Sequence, residues 1–227
     1  MSTGPRDSAG RTRVKTARRR TAQSTRWLSR QLNDPYVKRA KAEGYRSRAA
    51  YKLIELDEKF GLLKGVRAVV DLGIAPGGWS QVVRRLAPQA AIVGIDLLPV
   101  DPIEGVTIFQ MDFMDDAAPD LLIKTMGRVP DFVMSDMAAN TVGHQQTDHL
   151  RTLGLAEAAA EFAIDVLAPG GTFIAKVFQG GTDRNLLTRL KQEFATVKHA
   201  KPPSSRKGSP ELFVIAQGKK PRATQPD

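Results

Sequence analysis

Residues 66–96 read VRAVVDLGIAPGGWSQVVRRLAPQAAIVGID, and this stretch decides the fold. A β-branched run, Val66 to Leu72, opens onto Gly73-Ile74-Ala75-Pro76-Gly77-Gly78. Glycines at such a turn let backbone approach a ligand, and a following helix presents its N-terminus there. A helix-length segment over residues 78–87 comes next, and then a second strand-like run, Ala90 to Asp96. Strand, loop, helix and strand in this order form the unit of a parallel sheet.

The alternation continues outward. Val106 to Met111, Pro130 to Ser135, Thr172 to Phe178, Thr196 to Ala200 and Glu211 to Ala216 read as strands, with helices near 116–126, 150–168 and 183–194. The last two strands are joined by KPPSSRKGSP rather than a helix, so they are expected to pair antiparallel at the sheet edge. Upstream, Ser47 opens SRAAYKLIELDEKFG, a predicted helix that turns Ala50, Leu53, Ile54 and Phe60 inward and ends at Gly61. The expected class is α/β: a mostly parallel seven-stranded sheet with an antiparallel last strand.

The chain has 227 residues and a net charge of +10, from 34 Lys and Arg against 24 Asp and Glu. One domain over residues 31–221 is expected, between a basic tail (1–30) and a short C-terminal tail (222–227). The absence of cysteine excludes a disulfide framework, a thiol nucleophile and Cys-ligated zinc or iron–sulfur sites, and it fits a reducing cytoplasm. No apolar run approaches a membrane span and the N-terminus lacks an apolar signal region, so a soluble protein without membrane contact is expected.

Residues 1–30 hold nine Lys/Arg and one Asp, and residues 198–227 hold seven and two, so ends of +8 and +5 leave −3 for residues 31–197. The first 25 residues have little apolar beyond Val14, which predicts a disordered arm, densest at Arg18, Arg19 and Arg20, that either binds the phosphates of a polyanionic partner or is a solvated tail that aids solubility. A mitochondrial transit peptide would need a regular apolar face that this stretch lacks.

The glycine loop lacks the G-x-G-x-x-G spacing of a dinucleotide site, and Trp79 stands where a phosphate-binding P-loop needs lysine. Trp79 instead suggests contact with something less charged than a triphosphate. Asp96 and Asp112 end the second and third strands, where an acid can bind ribose hydroxyls; each alone also fits a turn or cap. Together with the loop they point to a nucleoside cofactor. Lys176 lies within the apolar FIAKVF, where a lysine needs a partner or a function. Lys52 and Glu211 read equally well as surface charges. His144 and His149 lack metal-ligand spacing, so no metal is expected.

The segments SRAAYKL, DLGIAPGGWSQ, GIDLLPVDPIEGV, QMDF, SDMAAN, PGGTFIAKVFQG and KPPSSRKGSPELFVIAQGKKP together resemble the FtsJ (RlmE-type) family of ribosomal RNA large-subunit ribose 2′-O-methyltransferases, over roughly residues 36–221. The resemblance implies a Rossmann-like S-adenosylmethionine-dependent methyltransferase fold and a catalytic tetrad of Lys52, Asp136, Lys176 and Glu211. It also implies S-adenosylmethionine contacts from Gly77, Trp79, Asp96, Asp112 and Asp136, with Gly73, Pro76, Gly78, Leu97 and Phe113 in the same motifs. The implied substrate is a uridine ribose in 23S RNA of the large ribosomal subunit; a monomer is expected. Ala139 departs from the proline usual in the family, and the arginine-rich tail is longer than its usual leader.

Methyl transfer from a sulfonium releases a neutral thioether, so the main requirement is a base for the 2′-OH. A lysine serves only when neutral, a form favoured by desolvation and a nearby cation. That assigns Lys176 as base, Asp136 as its orienting group, and Lys52 and Glu211 to the ribose. A 2′-O-methyltransferase of a transfer RNA anticodon loop and an assembly factor with vestigial catalysis remain open. A cap enzyme lacks room for a guanosine-binding domain, and a nicotinamide dehydrogenase lacks its glycine fingerprint.

Overall fold

A computed structural model describes residues 12, 14, 16, 21–139, 145–179 and 184–222. Seven strands form one sheet: β1 (Ala68–Leu72), β2 (Ala91–Asp96), β3 (Val106–Gln110), β4 (Phe132–Ser135), β5 (Thr172–Phe178), β6 (Phe194–Ala200) and β7 (Glu211–Lys219). Their order is β3-β2-β1-β4-β5-β7-β6. The pairs from β3 to β5 are parallel, and β7 runs antiparallel to both β5 and β6. The expected class and reversed last strand are therefore present, with β7 inserted between β5 and the edge strand β6.

Strand alternation divides the sheet into two apolar faces. Val70, Leu72, Val133, Phe173, Ala175 and Val177 pack under α5 (Ala118–Met126), α6 (Gln145–Val166) and α7 (Arg184–Glu193). Val69, Phe132, Met134, Ile174, Phe213 and Ile215 pack under α3 (Ala50–Phe60) and α4 (Gly78–Leu86). Burying each side chain of this size contributes about 1.5–3 kcal/mol, and the central strands are covered on both faces. Among the described residues, no helix is long and apolar enough to cross a membrane.

The structure corrects the expectation for the N-terminal segment. The tail expected to be disordered through residue 30 gives way at Thr21, whose side chain accepts from the Ser24 N–H and caps α1 (Ala22–Asn33). Further back, Thr12 N–H donates to Asn33 Oδ1 at 2.8 Å and Asn33 Nδ2 returns a bond to Thr12 O. Asp34 then caps α2 (Pro35–Glu43) by accepting from Tyr36 N–H, with Pro35 supplying the pre-set first turn. Capping threonine and aspartate outweigh the polar composition around them. The Arg18–Arg20 cluster and residues 223–227 lie outside the described residues.

Candidate active site

The site lies along the edge formed by the C-terminal ends of β1 to β5, where an open α/β sheet places ligands. β7 contributes to this edge because it is reversed: its first residue, Glu211, pairs with Phe178, the last residue of β5. Gly73 follows β1 with φ +79, and a Cβ on it would stand 2.7 Å from Met137 Cγ and 2.9 Å from Met137 N. Glycine thus lets the loops after β1 and β4 touch.

Beside them is a cleft of about 460 Å³. Of the residues expected to hold a cofactor, Gly73, Asp96, Leu97, Asp112, Phe113 and Asp136 line it, and Ala75, Met137, Ala138, Arg151 and Leu155 join them. Asp96 is the anchor of this end. Its Oδ2 accepts from Ala75 N–H at 2.8 Å and its Oδ1 from Leu98 N–H at 2.9 Å. Asp112 Oδ1 accepts from Met114 N–H. Asp96 therefore ties the loop after β1 to its own, and Asp112 fixes its own loop, while both line the cleft; a carboxylate has about four acceptor sites, so a ligand can share them.

Pro76, Gly77, Gly78 and Trp79 are not brought to the cleft lining. The Trp79 ring is 4% exposed, sits 5.6 Å from the Phe213 ring and donates Nε1–H to Ala49 O. The ring therefore fills the core beneath α4 and does not itself face the cleft, because a bulky side chain opening that helix gains by burial. At Gly77 and Gly78 a Cβ would meet Ile103 Cδ1 at 2.5 Å and Ser47 Oγ at 2.6 Å, so these glycines admit protein neighbours. Arg46, which no spacing rule singles out, staples this loop in place. Its Nη1 donates to Pro76 O and Asp101 O, and its Nη2 to Pro102 O at 2.7 Å.

The four residues Lys52, Asp136, Lys176 and Glu211 do come together, as a chain of alternating charge. Lys176, 8% exposed, donates Nζ–H to Asp136 O at 2.5 Å and Asp136 Oδ1 at 3.1 Å. Lys52 Nζ stands 3.7 Å from Asp136 Oδ1 and donates to Glu211 Oε2 at 2.8 Å. Alternation explains the meeting of Lys176 and Glu211. Ile174 packs on the α3 face, so Lys176, two residues on, points the same way, as does Glu211, two residues before Phe213.

Burial would push the Asp136 carboxyl up, but the Lys176 and Lys52 ammonium groups outweigh it and hold it below the ordinary carboxylate range. Burial would likewise lower Lys52, and Asp136 and Glu211 raise it instead. Asp71, on β1 beneath the glycine loop, has Ser80 Oγ at 2.7 Å for a partner, and burial pushes it up to about 7. Among the described residues, no three His, Asp or Glu side chains are grouped to hold a metal. His144 lies outside them, and His149 stacks edge-on against Phe178.

A cleft at the carboxyl edge of a seven-stranded sheet, lined by three aspartates and sharing one of them with a lysine pair, places a ligand-sized space beside acid–base groups, as in an α/β enzyme. The model of the FtsJ-like methyltransferase family matches residues 45–219, and the chain belongs to that family. It is 76% identical over 210 residues to the ribosomal RNA large subunit methyltransferase E of Sphingopyxis alaskensis, covering 92% of this chain and 91% of that one. The protein of the same name from Zymomonas mobilis is 65% identical over 216 residues, covering 95% and 98%. A crystal structure of a ribosomal RNA methyltransferase from Plasmodium falciparum is similar with a TM-score of 0.69 and 33% identity, over 78% of this chain and 100% of that one.

Proposed function

We propose that the chain methylates the 2′-oxygen of a uridine ribose in large-subunit (23S) ribosomal RNA, using S-adenosylmethionine, with Lys176 as the general base. It would act as a monomer in the cytoplasm on the assembled subunit. The observation that carries this reading is the double position of Asp136, which lines the cleft and also holds both lysines. One residue thereby joins the cofactor cleft to the proton-handling groups.

The cleft's acidic lining suits a ligand that is cationic at its sulfonium and amine, and Asp96, at the end of β2, is the residue for the hydroxyls of its ribose. The chemistry supplied by bound S-adenosylmethionine is an electrophilic methyl group. Lys176 accepts the 2′-OH proton through Nζ; its two bonds to Asp136 fix that nitrogen's position. Lys52 and Glu211 bind and orient the target ribose. Arg48 and Arg206, both paired with Asp34 beside the tetrad, and the basic chain ends meet phosphates.

The test incubates large ribosomal subunits and, separately, transfer RNA with labelled S-adenosylmethionine, digests the RNA and identifies the labelled nucleoside. Labelled 2′-O-methyluridine in large-subunit RNA is expected. Label confined to transfer RNA, or no label in either, overturns the proposal.

A further inference from the structure

Glu211 is gripped from two sides, and only one of them belongs to the tetrad. Lys52 donates to Oε2, while Ser205, 6% exposed in the loop between β6 and β7, donates its hydroxyl to Oε1 at 2.9 Å. That loop is itself seated on the N-terminal helices. Ser204 N–H donates to Glu55 Oε2 at 2.7 Å, Glu55 Oε1 accepts from the Tyr36 hydroxyl, and the Arg48 guanidinium donates to Ser204 O. Glu55 lies three residues after Lys52 on α3, so one helix reaches Glu211 twice: directly through Lys52, and through Glu55 and the Ser204–Ser205 backbone.

We infer that Ser205 is a positioning residue of the methyl-transfer reaction, whose hydroxyl locks the Glu211 carboxylate against Lys52 so that the pair meets the target ribose in one geometry. This rests on the assignment of Glu211 to the ribose. A glutamate side chain has several rotatable bonds, and Lys52 alone fixes one of its oxygens. With the second oxygen tied to a buried hydroxyl the group is set before substrate arrives, and such preorganisation acts on the chemical step rather than on substrate capture. Nothing in the local sequence marks it, because KPPSSRKGSP has the composition of any polar turn.

The experiment measures kcat and KM on large subunits, S-adenosylmethionine affinity and melting temperature for Ser205→Ala, Ser205→Thr and Glu211→Ala, and for Ser205→Ala combined with Glu211→Ala. A hydrogen bond to a charged group corresponds to a loss of about tenfold to a hundredfold in kcat for Ser205→Ala. KM and cofactor affinity should stay at wild-type values, and melting temperature should fall by no more than a few degrees. Ser205→Thr, which keeps the hydroxyl, should restore the rate. In the Glu211→Ala background the same change should cost nothing further, because its target is gone. Wild-type kcat in Ser205→Ala, an unrescued threonine variant, or an equal loss in both backgrounds overturns the inference. Wild-type kcat in Glu211→Ala instead overturns the ribose assignment, and Ser205 falls with it.

Discussion

Asp71 lies on β1 and Asp136 immediately follows the adjacent strand β4, with the Asp136 N–H bonded to Leu72 O, yet their surroundings drive them in opposite directions. Asp71 has a serine hydroxyl and two like-charged neighbours, Asp136 and Asp96, and burial pushes it up to about 7. Asp136, partly open to the cleft, is also pushed up by burial, but two ammonium groups outweigh it and keep it ionised. Desolvation alone neutralises a carboxyl; desolvation with paired lysines fixes its charge. The β1–β3 end is thus an acidic cradle shaped by loops that hydrogen-bond to the strand-end aspartates. The β4–β5–β7 end is a charge-balanced chain assembled from four distant parts of the sequence.

The most severe way to break this contrast is at Lys176. Lys176→Ala should lower the single-turnover methylation rate by about 10²–10⁴-fold, the range of a missing general base, while S-adenosylmethionine affinity persists. The fold should survive, because Asp136 keeps Lys52 within 3.7 Å. Lys176→Arg should fail almost as badly, since guanidinium stays protonated and cannot accept the proton. An arginine variant with wild-type rate removes the base role and leaves positioning alone.

Next in size is a pH effect at the other end. Asp71 has a raised folded pKa of about 7 against an ordinary value near 3.8, so its contribution to stability is complete below pH 4 and is lost as pH rises through 7. Asp136 runs the other way: its lowered pKa gives stability above about pH 4 that disappears in acid. Asp71→Asn keeps the shape and cannot titrate, so the wild type should lose on the order of 4 kcal/mol more than the variant between pH 4 and 8. Urea unfolding of both proteins at those two pH values measures the difference; parallel curves refute the assignment.

Legibility in the sequence followed the same divide between local and distant contacts. The glycine loop and the strand-end acids announce themselves within a short span of chain, and the reversed β7 is implied by a loop too short in helical pattern for a crossover. Lys176 stood out as a single charge in an apolar strand. The direction of the Trp79 ring was illegible, because what decides it is Phe213, brought beneath α4 only by the fold. Arg46 was invisible for a related reason, since it acts through carbonyls contributed from elsewhere, and Ser205 because its near neighbour Glu211 takes its place in the site only from Lys52 on α3. The helices α1 and α2 carried readable caps at Thr21 and Asp34-Pro35, which an average over a basic tail concealed.

At the cofactor end, Asp96→Ala removes a hydrogen-bonding carboxylate from the cleft and should weaken S-adenosylmethionine binding by about 1.5–3 kcal/mol. It should also lower stability by roughly 1 kcal/mol, because the Ala75 and Leu98 N–H groups lose their acceptor. Calorimetry showing unchanged affinity would leave Asp96 as a loop fastener only. The two measurements separate the roles that this residue combines.

The smallest effect on the enzyme itself is expected from the N-terminal arm. Residues 1–20 carry seven Lys/Arg and one Asp, and they meet the described fold at the Thr12–Asn33 pair of hydrogen bonds. Deleting them should therefore cost about 1 kcal/mol of stability and a few degrees of melting temperature, with cofactor affinity unchanged. RNA affinity should respond differently, because every phosphate that the shortened protein leaves unneutralised takes about 0.7–0.9 from the slope of log affinity against log salt. Truncated and full-length protein should accordingly differ most at low salt and converge as salt rises. Parallel salt plots for the two proteins would show that the arm's charge meets solvent rather than RNA, and phosphate binding would then rest on Arg48, Arg206 and the C-terminal lysines.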